Sequence, residues 1–356
     1  MKSQLRSKLP LVSIKIPSYN YGKYLENCLD SVLSQTYPNI EVLLRDNNSS
    51  DDSYEIALSY QEKFKKKGYY YDVSKNKYNV GSDSNTNRLN IFSEGIYHYV
   101  LGADDAIKPT FIETCVDLFL EYPNLSTVLT HREDMDENGT IRTTPPFYNE
   151  NCIIEGEKQA AVYMMAGIAV PAQRIVDNKK MNSGVLSYYR RYMVAGDWVS
   201  NFIYSLVGDV AYIKEPLCQY RTHFGNETNE SELNLLGIFE HYTIIHEFYN
   251  MGKALNIKEV MERKDKAIEK LGSMCMRYAL KMFYNNLHAI AKKYLCLAPI
   301  YKPDIVKEEI YNELNECLNF KGEKLFERLK KIEKTYIVNR VVSYDPPEGS
   351  KIIKLK

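Results

Sequence analysis

Along the first 130 or so residues, short apolar stretches with a two-residue repeat alternate with stretches whose apolar positions recur every three to four residues. The first stretch, residues 11–17, places Val12, Ile14 and Ile16 on one face and is followed by helical spacing up to Pro38. The same pattern predicts further strands at 40–44, 69–73, 97–101 and 125–130, with helices between them. Such alternation is typical of an α/β domain around a mostly parallel sheet.

From about residue 230 onward the two-residue repeat gives way to helical spacing. Apolar positions predict helices within 233–252, 260–282 and 305–318. We therefore expect an α/β domain at 1–228 and a mainly helical C-terminal region at 229–356. The amphipathic segment 257–296 is expected to pack on its own bundle, the alternatives being peripheral membrane contact or contact with a second copy of the chain.

Charge and cysteine content exclude some classes of function. With 46 basic and 46 acidic residues the formal net charge is zero, so no global basic field would attract nucleic acid. The seven cysteines form no Cys-x-x-Cys pair, which favours reduced core thiols in a reducing compartment. No apolar run has the length of about 18 residues that predicts a transmembrane helix. We expect a cytoplasmic protein, with peripheral contact to the inner membrane face as the alternative.

Four polar clusters come after predicted strands. They lie at residues 17–20, 46–52, 79–81 and 104–105. In a parallel sheet the carboxyl ends of successive strands meet at one edge, where open α/β folds bind ligands. We therefore expect residues spread over some 90 positions to line one cleft.

The last of these clusters offers two adjacent carboxylates, Asp104 and Asp105. Oxygen ligands of this kind suit Mg²⁺ or Mn²⁺, which in turn bridge phosphate oxygens. The alternative is that the pair caps the helix opened by Pro109. The three other polar strand ends favour a site, with Asp104 as the metal ligand and Asp105 as the second choice.

Residues 11–105 resemble the family 2 inverting glycosyltransferases of the GT-A fold. The resemblance rests on an ordered series of motifs: Pro-x-Tyr-Asn after the first strand, Gln-Thr-Tyr-Pro after the first helix, an Asp/Ser-rich loop after the second strand, and a stretch from Asn-x-Gly to Gly-Ala-Asp-Asp. It implies a GT-A nucleotide-diphospho-sugar transferase fold. It also implies metal-assisted transfer of a hexosyl or related group. The donor is usually a UDP-linked sugar, and the acceptor is a hydroxyl of a saccharide or glycolipid. The process implied is bacterial polysaccharide assembly.

The resemblance also implies roles for matching positions. Base and ribose contacts fall on Pro17, Tyr19, Asn20, Asp46 and Asn48, nucleotide and diphosphate contacts on Gly81 and Asn87, and metal ligation on Asp104. Two positions depart from the family pattern. Gly102 stands where the family commonly has an Asp, and Thr86 stands where it tends to have an Arg before Asn87. Arg88 is the candidate to supply the phosphate contact from a shifted place.

Two later segments extend the resemblance. Ala195-Gly196-Asp197-Trp198 is similar to the family segment whose Asp is the catalytic base, so Asp197 is our candidate base. The alternative role, a cap for the following helix, is compatible with the first because a helix N-terminus also favours a carboxylate. Tyr220-Arg221-Thr222-His223 resembles a late Tyr-Arg-x-His segment, which makes His223 a candidate ligand of the metal or diphosphate; the alternative is a structural or solvated histidine.

Two other functions stay open. A nucleotidyltransferase also couples a metal to a nucleotide over an α/β sheet, but it typically needs a Gly-rich, basic phosphate loop, and the first loop here reads Ser-Tyr-Asn-Tyr-Gly. A non-catalytic sugar-nucleotide-binding or scaffold protein is the other alternative, because Gly102 lacks the carboxylate of the family motif.

Overall fold

The computed structural model describes residues 9–181, 195–222, 231–336 and 343–355. The strands are β1 (Val12–Ser18), β2 (Ile40–Asp46), β3 (Tyr70–Lys75), β4 (Tyr97–Val100), β5 (Ala106–Ile107), β6 (Leu125–Met135), β7 (Ile141–Arg142), β8 (Cys152–Ile154), β9 (Arg174–Asp177), β10 (Asp209–Arg221) and β11 (Lys351–Ile352). The helices are α1 (Gly22–Leu33), α2 (Ser53–Ser59), α3 (Gln61–Lys67), α4 (Ser82–Phe92), α5 (Phe111–Glu121), α6 (Gly156–Tyr163), α7 (Asn178–Met181), α8 (Gly196–Leu206), α9 (Leu236–Ala254), α10 (Lys258–Glu262), α11 (Lys264–Tyr284), α12 (His288–Tyr301), α13 (Glu309–Glu316) and α14 (Gly322–Tyr336).

Within these ranges the strands form one sheet in the order β11-β8-β10-β6-β9-β4-β1-β2-β3, with β5 beside β10 and β7 beside β6. Strands β3, β2, β1 and β4 are parallel, and β10 is parallel to β6. The other pairs are antiparallel, including β9 with both β4 and β6. The predicted α/β class with a central, mostly parallel sheet is confirmed, and the antiparallel strands gather in its second half.

The two faces of β1 explain why helices cover both sides of the sheet. Val12, Ile14 and Ile16 are fully buried in an apolar cluster that includes α1 and α5. The opposite face carries Ser13 and Lys15, and Lys15 Nζ donates to Asn90 Oδ1 of α4 at 2.6 Å. Helix α4 thus covers a polar face, whereas α1 and α5 cover an apolar one.

The C-terminal helices pack on the second half of the sheet. Trp198 and Phe202 of α8 contact Phe248 of α9, with ring centroids 5.5 and 3.8 Å apart. The same apolar cluster contains Tyr212 of β10 and Leu271 of α11. Burial of one such aromatic or aliphatic side chain contributes about 1.5–3 kcal/mol. The helical region and the second half of the sheet therefore share a core, and the division at 228/229 stays our proposal.

Residues 343–355 return from the helical region to the sheet. β11 pairs antiparallel with β8, placing Lys351 opposite Ile153, and Ile353 is buried. Tyr344 N donates to Phe147 O at 2.8 Å. This segment thus belongs to the sheet edge, although the sequence pattern groups it with the helical region.

The seven cysteines are free thiols, of which only Cys296 is exposed. The other six are buried, as expected for thiols of the core. Among the helices in the described part of the chain, none has both the length and the apolar character needed to span a bilayer.

Candidate active site

The first two polar clusters meet at the ends of β1 and β2, where Ser18 lies opposite Asp46. Asn20 N donates to Ser49 Oγ at 2.9 Å, and Ser50 N donates back to Asn20 Oδ1 at 2.9 Å. Asn20 and Asn48 have φ values of 56° and 66°, in the left-handed region that Asn tolerates better than most residues. The two loops therefore form one bonded unit at the sheet edge.

Asp46 is fully buried in this unit, and only one of its two carboxylate oxygens has a hydrogen-bond partner. Its Oδ2 accepts from Ser49 N at 2.9 Å and lies 3.8 Å from Lys75 Nζ. Its Oδ1, and the hydroxyl of Ser18 across the strand pair, have no hydrogen-bond partner. A buried polar atom without a partner costs about 1–3 kcal/mol, so these two atoms mark a place where a ligand donor would be stabilising. Pro17 is half-buried beside them, and Tyr19 is exposed.

Asn47, which the sequence pattern does not single out, joins the second cluster to the third. Its Nδ2 donates to Asn79 Oδ1 at 2.8 Å, and its Oδ1 accepts from Val80 N at 3.0 Å. Asn76 Nδ2 donates to the same Oδ1 at 2.9 Å. Asn47 is buried, and burial of one asparagine among many in a polar loop leaves no trace in the hydrophobic pattern.

The third cluster leads into α4, which carries the remaining nucleotide candidates. Gly81 adopts φ 83°, a backbone conformation that favours glycine, and is exposed just before the helix. Asn87 is half-buried. Arg88 Nη1 donates to Asn76 Oδ1 at 2.7 Å, so its guanidinium joins the asparagine network under the loops. Its diphosphate contact stays a prediction.

The acidic turn after β4 brings two carboxylates to one place. A Cβ built on Gly102 would lie 2.8 Å from both Asp104 Oδ1 and Asp105 Oδ2, so the two side chains converge on the space that glycine leaves. Asp105 Oδ1 also accepts from Arg221 N at 2.8 Å. Burial, and then the negative charge of Asp104, hold the pKa of Asp105 well above its usual range. The carboxylates of Asp104 and Asp105 repel each other at this separation, and a divalent cation bound between their oxygens would offset that repulsion.

Arg221 holds the acidic turn in place. Its Nε donates to Asp104 O at 2.8 Å, its Nη1 donates to Asp136 O at 2.9 Å, and its guanidinium lies 4.5 Å from the ring centroid of Tyr24. The predicted ligand His223 lies outside the described residues. Within the described part of the chain, no group of three or more His, Cys, Asp and Glu side chains is arranged to hold a metal.

Asp197 lies in the first turn of α8, at the other end of the site. Its Oδ1 accepts from Trp198 N at 2.7 Å, and its backbone oxygen accepts from Arg174 Nη1 at 3.1 Å. Desolvation raises the pKa of Asp197, while the charge of Arg174 and the Trp198 N–H act in the opposite direction. The carboxylate is thus both a local helix-end acceptor and a base stronger than an ordinary Asp.

Tyr220 connects the acidic turn with Asp197. Its pKa is raised to about 12 by desolvation first, and then also by the negative charges of Asp105 and Asp197, which both act on it. The guanidinium of Arg132 lies 4.6 Å from the Tyr220 ring centroid. The candidate base and the candidate metal ligands are therefore near the same tyrosine. Arg132, which lies inside β6 and belongs to no motif, has no signal in the sequence that points to this contact.

Comparisons with known proteins bear on the family and the fold of the chain. The family model described as "Glycosyl transferase family 2" matches residues 13–194. Chondroitin synthase of Escherichia coli is 34% identical over 142 residues, and hyaluronan synthase of Pasteurella multocida is 31% identical over 135 residues. These matches cover 40% and 38% of this chain but only 20% and 13% of the two synthases.

A relative that is matched over more of its length is an uncharacterized glycosyltransferase of Haemophilus influenzae, 26% identical over 62% of this chain and 68% of that protein. Among solved structures, S. aureus TarS residues 1–349 in complex with UDP-GlcNAc superposes with a TM-score of 0.54. It is 17% identical over 87% of this chain and 91% of that one, a likeness that bears on the fold. The predicted GT-A fold is confirmed.

Proposed function

Because the chain belongs to glycosyl transferase family 2, we propose that it moves a glycosyl group from a UDP-linked sugar to a hydroxyl of a saccharide or glycolipid acceptor. The observation that carries the proposal is the convergence of the polar strand ends on one edge of the sheet, with buried, unpartnered acceptors at one end and paired carboxylates at the other. Open α/β sheets bind nucleotides in the crevice outside the carboxyl ends of their strands, where both features lie.

The end formed by β1 and β2 suits the nucleobase. Asp46 Oδ1 is a buried acceptor without a partner, and the N3–H of uracil is a donor that it would satisfy. The neighbouring hydroxyl of Ser18 both donates and accepts. Tyr19 is 43% exposed at the rim, which leaves its ring available to cover a bound base or ribose.

The acidic turn suits a divalent cation, Mg²⁺ or Mn²⁺, held by Asp104 with Asp105 behind it. The space beside Gly102 faces both carboxylates, and a cation there would relieve the repulsion between them. When bound, such an ion withdraws negative charge from the departing diphosphate. Gly102 in place of a family aspartate leaves room for the two remaining carboxylates to turn toward each other.

Asp197 acts as the general base in the proposed reaction. The acceptor oxygen forms a bond to the anomeric carbon while the bond from that carbon to the diphosphate breaks, and the hydroxyl proton passes to Asp197. A single displacement of this kind inverts the configuration at the anomeric carbon. The raised pKa of Asp197 favours proton acceptance, and general-base help is typically worth about 10²–10⁴-fold in rate.

The relatives support the choice of donor and acceptor to test first. Two of them are named as synthases of the glycosaminoglycans chondroitin and hyaluronan, and the TarS structure contains UDP-GlcNAc. We therefore place UDP-N-acetylhexosamines at the head of a panel of nucleotide sugars, and polysaccharide assembly as the process served.

The experiment is hydrolysis of that panel by the full chain with Mn²⁺ and without acceptor. Release of UDP from one sugar nucleotide supports a transferase and names the donor. Tight donor binding with no release from any sugar nucleotide overturns the catalytic proposal in favour of a non-catalytic binding protein, which the glycine at 102 makes a specific alternative.

A further inference from the structure

Helix α8, which carries Asp197, begins without a capping side chain of its own. Its N-cap residue is Ala195, whose methyl group accepts no hydrogen bond. The first amide groups of a helix lack intrahelical acceptors and need others. Here the acceptor for Ala195 N is Glu240 Oε2 of α9, at 3.1 Å. In a capping box this N–H is accepted by a Glu or Gln at the third helical position, which is Trp198 here, so a carboxylate from the helical region takes that part.

Helix α9 also holds the residue on the other side of Asp197. The ring of Trp198 meets His241 edge-on at a centroid distance of 5.1 Å, and Phe248 of the same helix lies at 5.5 Å. Trp198 Nε1 donates to Tyr163 O at 2.6 Å. Asp197 therefore lies between two residues that are both fixed by α9.

The charge of Glu240 also acts on a residue at the beginning of α4. Partial desolvation, and then the negative charge of Glu240, raise the pKa of Asp83 in the first turn of α4. That turn follows Gly81, a predicted neighbour of the nucleotide. Glu240 itself is only 9% exposed.

We propose that Glu240 is a positioning residue for the base: by accepting the Ala195 N–H it fixes the first turn of α8 and so the direction of the Asp197 carboxylate. The helical region then completes the catalytic end of a site whose donor end is built by the α/β domain. This inference rests on the proposed function only in taking Asp197 as the base.

The test compares Glu240→Ala with Glu240→Gln in the full chain. The glutamine amide oxygen still accepts from Ala195 N, whereas alanine leaves this amide without its acceptor. Glu269→Gln, at an exposed position of α11, is the matched control.

With the UDP-sugar that gives turnover, we expect Glu240→Ala to lower kcat about 10- to 100-fold at nearly unchanged donor KM, because small misplacement of a catalytic group is costly. Glu240→Gln is expected to recover most of kcat.

A second readout needs no substrate. Trp198 is the sole tryptophan among 30 tyrosines, so emission excited where tyrosine does not absorb reports this turn alone. Acrylamide should quench Trp198 more strongly in Glu240→Ala than in wild type, Glu240→Gln or Glu269→Gln. Glu240→Gln keeps the proposal testable if the alanine variant unfolds. A tenfold loss of kcat in Glu240→Gln with unchanged quenching would mean that the charge of Glu240 matters and its accepted hydrogen bond does not. That result would contradict the proposal.

Asp197→Asn separates the two possible failures. If Asp197→Asn keeps near-normal transfer, the base assignment and with it the proposed mechanism are wrong. If Asp197→Asn is inactive while Glu240→Ala keeps wild-type kcat and wild-type quenching, the positioning role is wrong and the proposed function stands.

Discussion

The two ends of the cleft are built in different ways. The proposed donor end consists of loops that directly follow parallel strands, tied to one another by asparagine and serine side chains such as Asn47 and Ser49. The proposed catalytic end takes Asp197 from α8, Arg221 from the end of β10 and Glu240 from α9. One end is therefore encoded in short contiguous motifs, and the other depends on how distant elements pack.

Removing the base should separate the two ends most clearly. We expect Asp197→Asn to lower transfer by about 10²–10⁴-fold while donor affinity stays within a few-fold, because the donor end is unchanged. Initial rates and UDP-sugar binding by calorimetry measure both quantities. Asp265→Asn, another acid in the first turn of a helix, is the control. Equal loss of donor affinity and turnover would contradict a division between the ends.

Removing the predicted metal ligand should affect UDP binding at the acidic turn, which lies between the two ends of the cleft. We expect Asp104→Ala to make UDP binding the same in Mn²⁺ as in EDTA, whereas the wild-type chain binds UDP more tightly in Mn²⁺. Asp136→Ala, an acid of the exposed turn at residues 136–139, should keep the Mn²⁺ effect. A Mn²⁺ effect that survives in Asp104→Ala would show that the acidic turn is not the metal site.

The donor end should be sensitive to a residue that touches no donor in our proposal. Asn47→Ala removes the buried amide that joins the second and third clusters, and we expect it to lower the free energy of unfolding by about 1–3 kcal/mol. Urea unfolding measures this change. Asn48→Gly, at an exposed position with φ 66°, should cost much less, because glycine adopts that conformation freely. Equal effects of both changes would rule out a network centred on Asn47.

An effect that depends on pH should come from the polar face beneath α4. Burial first, and then the charge of Arg174, lower the pKa of Lys15 to about 7, with Glu41 acting in the opposite direction. Asn90 and His98 contact its amine at 2.6 and 3.2 Å. Because the unfolded chain keeps this lysine protonated up to a pKa of about 10.4, it binds more protons than the folded chain between these values. Stability should therefore rise with pH from about 7 to 10, by at most about 1.4 kcal/mol per pH unit from this group.

Lys15→Met removes the titrating group and should flatten that rise. Urea midpoints at several pH values between 7 and 10 measure the slope, with Lys63→Met, an exposed lysine of α3, as the control. A wild-type slope in Lys15→Met would show that Lys15 stays charged in the folded protein.

The same contrast between the ends explains what sequence could predict. The strand ends that form the donor cleft were found because alternating apolar residues mark each strand and polar residues follow it. Strand β10 is less clear in the sequence, because its alternation of apolar and polar residues is interrupted near its middle. Its register against β6 shifts on both sides of Pro216, and this irregularity interrupts the alternation. The contact behind the proposed role of Glu240 has no local signal, because its partner Ala195 lies 45 positions earlier.

Two further differences have similar causes. The helix predicted between the strands at 40–44 and 69–73 is divided into α2 and α3 at Tyr60. The Tyr60 hydroxyl donates to Asp30 of α1 at 3.0 Å, a contact between helices that periodicity does not encode. The helix expected over 260–282 is divided into α10 and α11 at Arg263, which donates to Ala161 O of α6 at 2.9 Å. In both cases a tertiary contact lies at the break.

The pairing of β11 with β8 also bears on how the protein avoids association. An uncovered edge strand presents unpaired backbone groups that invite strands of other molecules. β11 covers the edge of β8 along Cys152 and Ile153, and it is itself only two residues long, with lysines at 351 and 354. A short, positively charged edge is a poor template for further strands. The tail thus leaves only a two-residue strand at this end of the sheet for any further strand to pair with.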